Sequence, residues 1–197
     1  MTGYGRRGVV GMGVLGGVAL MLSSCAVLVG SGRRRAGPTT QAPNDRFAEF
    51  TEYVPEKLEI RTDVGPLNRR MPGISVSSAH WVTQYRQEER EVLPPQDRPI
   101  WTHAVMGLDP VSAQALAEAS MGTADPLPGI HPDLRQYVSK DEVFTAVPKE
   151  KADEILDGEH MIQDDPNIAE PHHFQTDQAV ICADSNLLIL IATEWHT

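Results

Sequence analysis

Five consecutive apolar residues, Leu187-Leu188-Ile189-Leu190-Ile191, constrain this chain more than any other feature. Successive side chains of a strand point to opposite faces of its sheet, so a continuous apolar run needs cover on both. Left bare, such a run pairs with other copies and aggregates. Asp184-Ser185-Asn186 stands just before it, and residues 178–183 before that. The C-terminus therefore reads as a hairpin of strands 178–183 and 187–195 around a three-residue loop.

The residues upstream supply candidates for that cover. Phe47, Phe50, Tyr53 and Val54 recur at helical spacing, with Asp45 as N-cap and Pro55 as a stop. Leu58, Ile60, Thr62 and Val64 then alternate with Lys57, Glu59, Arg61 and Asp63, the period of a half-buried strand. A second strand over 78–88 places Trp81, Thr83 and Tyr85 on one face. A third over 100–108 sets Ile100, Thr102, Ala104 and Met106 against Trp101, His103 and Val105, and Leu93-Pro94-Pro95-Gln96-Asp97 breaks the two apart.

Asp109-Pro110 opens a helix, because Asp accepts from the first free N–H groups and Pro lacks one where none is needed. Val111, Ala115, Leu116 and Ala119 form its predicted stripe, and Gly122 its end. Prolines at 126, 128, 132, 148 and 166 then leave only short pieces: one helical turn over 133–138 and a short helix over 149–156 closed by Gly158. No internal repeat is present. The expected fold is α+β, a small, mostly antiparallel sheet with a C-terminal hairpin and one or two packed helices, preceded by an N-terminal membrane anchor.

The anchor is read from residues 1–36. Arg6 and Arg7 precede an uncharged stretch over 8–30, and Arg33, Arg34 and Arg35 close it. Leu22-Ser23-Ser24-Cys25 within it looks like a bacterial lipobox, in which the Cys25 thiol takes a lipid and becomes the new N-terminus after cleavage. The charged start, apolar middle and small residues fit an export signal. An uncleaved span competes, since the 23 residues of that stretch would extend roughly 34 Å as a helix, against a hydrocarbon core of about 30 Å. A plain cleaved signal is the third option, and Arg6-Arg7 also resembles part of a twin-arginine signal. Lipid attachment at Cys25 is the expectation adopted. Residues 37–46, with Pro38, Thr39, Thr40, Gln41, Pro43 and Asn44, read as a flexible linker, and 47–197 as one globular domain.

Charge divides these parts. Five of the 17 Lys and Arg lie in residues 1–37, leaving 12 against 27 acids, a formal net of −15 for the remainder. Such a domain repels nucleic acid and anionic lipid, and its acidity suits solubility at an envelope surface, or attraction to a cationic partner or divalent ions. Of the two cysteines, lipidation of Cys25 would leave Cys182 without a disulfide partner, so Cys182 reads as a small buried hydrophobe.

The order of these elements resembles a set of uncharacterised actinobacterial secreted lipoproteins and membrane-anchored proteins. The likeness rests on the lipobox-type N-terminus, the Pro/Thr linker, Pro72-Gly73 before the Trp81 strand, the strand and Asp-Pro helix over 100–121, the Pro-rich stretch and the Asp184 turn. It covers residues 20–195 in layout alone. It implies a compact α+β domain on the extracytoplasmic face of the cell membrane, lipid-anchored or single-pass, and no activity.

Chemistry-bearing residues are sparse. His160, Asp164, His172 and His173 are weak metal candidates, joined by Glu159, Asp165 and Glu170, since zinc accepts imidazole nitrogen and carboxylate oxygen. Their spacing matches no helical ligand pair, and the Pro-interrupted acidic stretch reads as a solvated loop, so no metal and no cofactor is expected. Ser75, Ser77 and Ser78 precede His80 without the glycine-framed turn of a hydrolase nucleophile. The expected role is non-enzymatic binding or structure at the envelope, with an envelope protein as possible partner. The competing role is a metal-handling protein or hydrolase using residues 159–173 or the pair His80 and His103.

Overall fold

The computed structural model describes residues 46–89, 98–165 and 168–195, with residues 160–172 given by backbone alone, all within one compact unit, Gln41–Thr197. The anchor, Cys25, the 93–97 break and all of the linker but Arg46 lie outside the described residues. Seven strands form one sheet: β1 (Val76–Tyr85), β2 (Ile100–Leu108), β3 (Met121–Thr123), β4 (Thr145–Val147), β5 (Glu159–Asp165), β6 (Ile168–Cys182) and β7 (Leu187–Trp195). Their spatial order is β1-β2-β7-β6-β4-β3, with β5 on β6, and every named pair is antiparallel. Among the described residues three α-helices accompany them, α1 (Gly65–Arg70), α2 (Pro110–Ala119) and α3 (Lys149–Leu156), with a 3-10 helix at Pro132–Tyr137. The fold is α+β.

β7 lies between β2 and β6, and its apolar run meets a different layer on each side. Leu188, Leu190 and Ala192 pack among Leu67, Ala113, Leu116, Ala152 and Leu156 from the three α-helices and Met71, which caps α1. Ile189 packs on the other side with Phe47, Leu127, Ile130, Leu134 and Phe144, beneath the 3-10 helix and the extended N-terminal segment. Leu188, Ile189 and Leu190 are each 0% exposed. The C-terminal hairpin is present, though Cys182 pairs with Leu187 and so leaves four residues in the turn. Asn186 takes the left-handed conformation there (φ 53°), and its carbonyl accepts the Leu108 N–H at 2.9 Å.

Several expectations need correction. Residues 47–54 are not helical. Their backbone is satisfied from outside instead: Ala48 N–H donates to the Leu127 carbonyl, Leu127 N–H to Arg46, the Arg135 guanidinium to the Ala48 carbonyl, and the Gln84 amide to Tyr53. The alternation over 57–64 does keep Leu58, Ile60 and Val64 half-buried, but the segment joins the sheet only through one antiparallel bridge, Arg61 to Trp81. Arg61 also lays its guanidinium over the Trp81 ring, 4.2 Å from its centroid, closing the outer edge of β1.

The Asp109 cap forms as expected, accepting from the Val111 and Ser112 N–H groups. The buried face of α2 is Ala113 and Leu116, however, while Val111 is 78% exposed. The helix ends at Ser120, and Gly122 (φ 66°) falls in β3. α3 closes on Asp157 in the left-handed conformation, one residue before Gly158. Gly158 instead permits a close approach, since a Cβ there would collide with the Phe174 carbonyl, where β5 begins against β6. The stretch expected as a solvated loop over 159–173 is this β5–β6 ladder.

Leu188→Ala and Ile189→Ala are each expected to cost about 2–5 kcal/mol, the range for buried large-to-small changes. Asn186→Ala is expected to cost only about 1 kcal/mol, from the left-handed backbone. Urea midpoints check both. A silent change at either apolar position would mean that one side of β7 is open.

Candidate functional site

Two groups of polar and aromatic side chains could carry chemistry, and they differ in accessibility. The first lies between the sheet and the 3-10 helix. His80 faces Val105 across the β1–β2 ladder and His103 faces Val82, so the two histidines fall diagonally on one side of the sheet. The fold brings the pair together and then covers it. The His80 ring stacks flat on Tyr137, with centroids 3.6 Å apart and planes 2° from parallel. His103 is 2% exposed, and its Nδ1 accepts the His131 N–H at 3.0 Å. His131 in turn accepts the Asp133 N–H at its own Nδ1, 3.3 Å away, which caps the 3-10 helix. Phe50 stands edge-on to Trp101, His103 and His131, with centroids 6.1, 5.6 and 5.3 Å away.

Both acceptor nitrogens require unprotonated imidazole. Burial, with the neighbouring His131 and then Arg86 adding to it, holds the His103 pKa down at about 3. Burial also lowers His131, partly offset by Asp133. These rings act as hydrogen-bond acceptors for backbone and as packing surface. Two buried nitrogens in this layer, His80 Nδ1 and Trp101 Nε1, have no hydrogen-bond partner. Ser77 commits its hydroxyl to the Gly107 carbonyl at 2.9 Å. Cys182 is a free thiol, 2% exposed, packed with Val105, Val180 and Ile189.

The second group is open to solvent. Glu159 on β5 pairs with His173 on β6, and His173 pairs with Trp195 on β7. The three occupy one row across three strands, at the end of β7 away from the 183–186 turn. With Gln175 they line a groove of about 330 Å³. Trp195 is 45% exposed, whereas Trp81 and Trp101 are 1% and 0% exposed. Sequence reasoning did not find this row, because it depends on the β5–β6 and β6–β7 registers together.

The same register sets His160 opposite His172 and Ile162 opposite Glu170. Asp164 lies on β5, three positions beyond Met161. Among the residues whose side chains are described, which leaves out His160, Asp164 and His172, there is no group of three or more His, Cys, Asp or Glu placed to hold a metal ion. Among them too, no helix is long and apolar enough to cross a membrane. No protein-family model, curated protein or solved structure matches the chain.

The histidine layer predicts a pH dependence of stability. Unfolded His103 titrates near its ordinary value of about 6.5, while the folded residue resists the proton down to about 3. Below pH 6.5 the unfolded chain therefore binds the extra proton. Stability fully present above that pH drains as it falls toward 3, by up to about 1.4 kcal/mol per pH unit. His103→Gln keeps an acceptor for the His131 N–H without the titration. Urea midpoints between pH 7 and 4 are expected to fall less steeply in the variant; equal slopes would remove His103 from the account.

Proposed function

We propose that this chain is a membrane-tethered extracytoplasmic protein whose folded domain has a non-enzymatic binding or structural role at the cell envelope. One observation carries the non-enzymatic part: the histidine pair that the sequence offered for acid–base chemistry, His80 and His103, is consumed by the fold together with His131. His103 and His131 accept backbone N–H groups, and Tyr137 covers one face of the His80 ring. A general base must reach the proton it removes, and a ring that is 2% exposed does not reach a substrate from solution. The tether rests on Arg6-Arg7, the apolar stretch and Leu22-Ser23-Ser24-Cys25. A net charge of −15 beyond residue 37 favours a cationic partner over nucleic acid or anionic lipid.

Metabolic labelling with a fatty-acid analogue tests the tether. Label is expected in the wild-type chain and lost in Cys25→Ser, with the protein released or held as precursor. Unchanged membrane retention with no label in either would leave an uncleaved span as the anchor.

The register of β5 and β6 favours one second reading, metal handling, because His160 and His172 are cross-strand partners in the rung beside Glu159 and His173. Opposed positions of a ladder lie about 4.5–5.5 Å apart at Cβ, a separation that a shared zinc ion can bridge. Under the first reading the purified full-length chain, without a histidine tag, carries no stoichiometric zinc by elemental analysis. Zinc near one per chain, abolished by His172→Ala, would replace the first reading with the second.

A further inference from the structure

The row Glu159, His173 and Trp195 brings together three groups with a common preference. An indole face attracts a cation through its quadrupole, and most strongly among the aromatic side chains. A carboxylate attracts the same cation directly, and a guanidinium pairs with it through two parallel N–H groups. The His173 imidazole between them adds a flat ring. Neighbouring strands are about 4.8 Å apart, so Glu159 and Trp195, two strands from one another, stand roughly 10 Å apart at the backbone. His173 rises between them, and the three side chains with Gln175 line one groove.

The segment that supplies this row is acidic in sequence: residues 152–197 contain no Lys or Arg, and Asp153, Glu154, Asp157, Glu159, Asp177 and Glu194 are among its acids. Several of these acids already have structural partners: Asp153 holds Lys149 and the Thr176 N–H, Asp177 accepts from Thr193, and Glu194 pairs with Arg70 at 2.8 Å. Glu159 is exposed and lines the groove with His173 and Trp195.

We infer that the Glu159–His173–Trp195 groove is a docking site for an arginine side chain of a basic protein partner, the guanidinium stacking on the Trp195 indole and pairing with the Glu159 carboxylate. The inference rests on the binding role proposed above and names its partner class. It commits to arginine over lysine because a planar cation suits a flat indole and a fork suits a carboxylate. An exposed tryptophan framed by polar groups is also the composition of an interface anchor.

Full-length chain in non-ionic detergent is titrated with N-acetyl-argininamide and with its uncharged isostere, N-acetyl-citrullinamide. Trp195 is the exposed indole of the chain's three tryptophans and reports through its fluorescence. The line widths of the ligand's own protons report in every variant. Saturable binding of the arginine derivative is expected, with the citrulline derivative weaker. Glu159→Gln and Trp195→Leu are each expected to weaken it about three- to fivefold, the worth of an exposed ion pair or cation–π contact. Asp184→Asn, in the turn at the opposite end of the hairpin, is expected to leave it unchanged.

Equal weakening by Asp184→Asn and Glu159→Gln would overturn the inference, because the acidic field and not the groove would then hold the cation. Saturable quenching of Trp195 by chitotriose with none by the arginine derivative would overturn it in favour of a glycan. Neither result touches the Cys25 labelling outcome, so failure here is separable from failure of the tethered-domain reading.

Discussion

Strand β7 can be buried only if each side of it is covered, and the two covers are built in different ways. On one side three short helices present small and aliphatic residues; on the other, extended chain and a single 3-10 helix do the same work. A helix carries its own backbone hydrogen bonds, and the first layer adds side-chain bonds at its margins, such as Asn68 to Val76 and Asp153 to the Thr176 N–H. Extended chain does not carry its own, so the second layer draws on side chains for its backbone groups. Arg135, Gln84 and the His103 and His131 rings meet carbonyls and N–H groups that no helix or ladder satisfies. Buried polar groups left unpaired cost about 1–3 kcal/mol each, which gives those side chains a structural reason to be where they are.

This explains why histidine is a poor guide to chemistry in this chain. Neutral imidazole is one of the few side chains that can sit among aromatic rings and still accept a backbone hydrogen bond. His103 does both, under Phe50 and beside Trp101. The same property that makes the residue useful at an active site makes it useful as a spacer between a sheet and an irregular layer.

Much of the sheet was legible from pattern alone. Residues 100–108 alternate cleanly and end on Asp109-Pro110, so both the strand and the start of α2 can be placed to the residue. Residues 149–156 and the C-terminal hairpin follow from equally local signals. What could not be read was decided at a distance. Phe47, Phe50, Tyr53 and Val54 have helical spacing, yet Phe47, Phe50 and Val54 pack separately onto the sheet and Tyr53 stays exposed, because Leu127 and Arg135 engage the backbone near Phe47. The buried face of α2 depends on α3, which contacts it from across the chain. The open row at Glu159 was hidden for a geometric reason. In an antiparallel ladder every step forward on one strand is a step back on the other, so residues 14 apart, Glu159 and His173, become neighbours. No local spacing rule detects that.

Arg46 adds one consequence in mechanical terms. It is the first residue the structure describes, and its guanidinium is held by the Ser139 and Glu142 carbonyls while the next residue, Phe47, bridges to Leu127. A pull on the preceding chain would thus enter the domain through the irregular layer. The central hairpin, whose strands are zipped to neighbours on both sides, would feel it last. Load would peel away the extended segment before it strained the sheet, leaving β6 and β7 as the element that keeps its shape under tension.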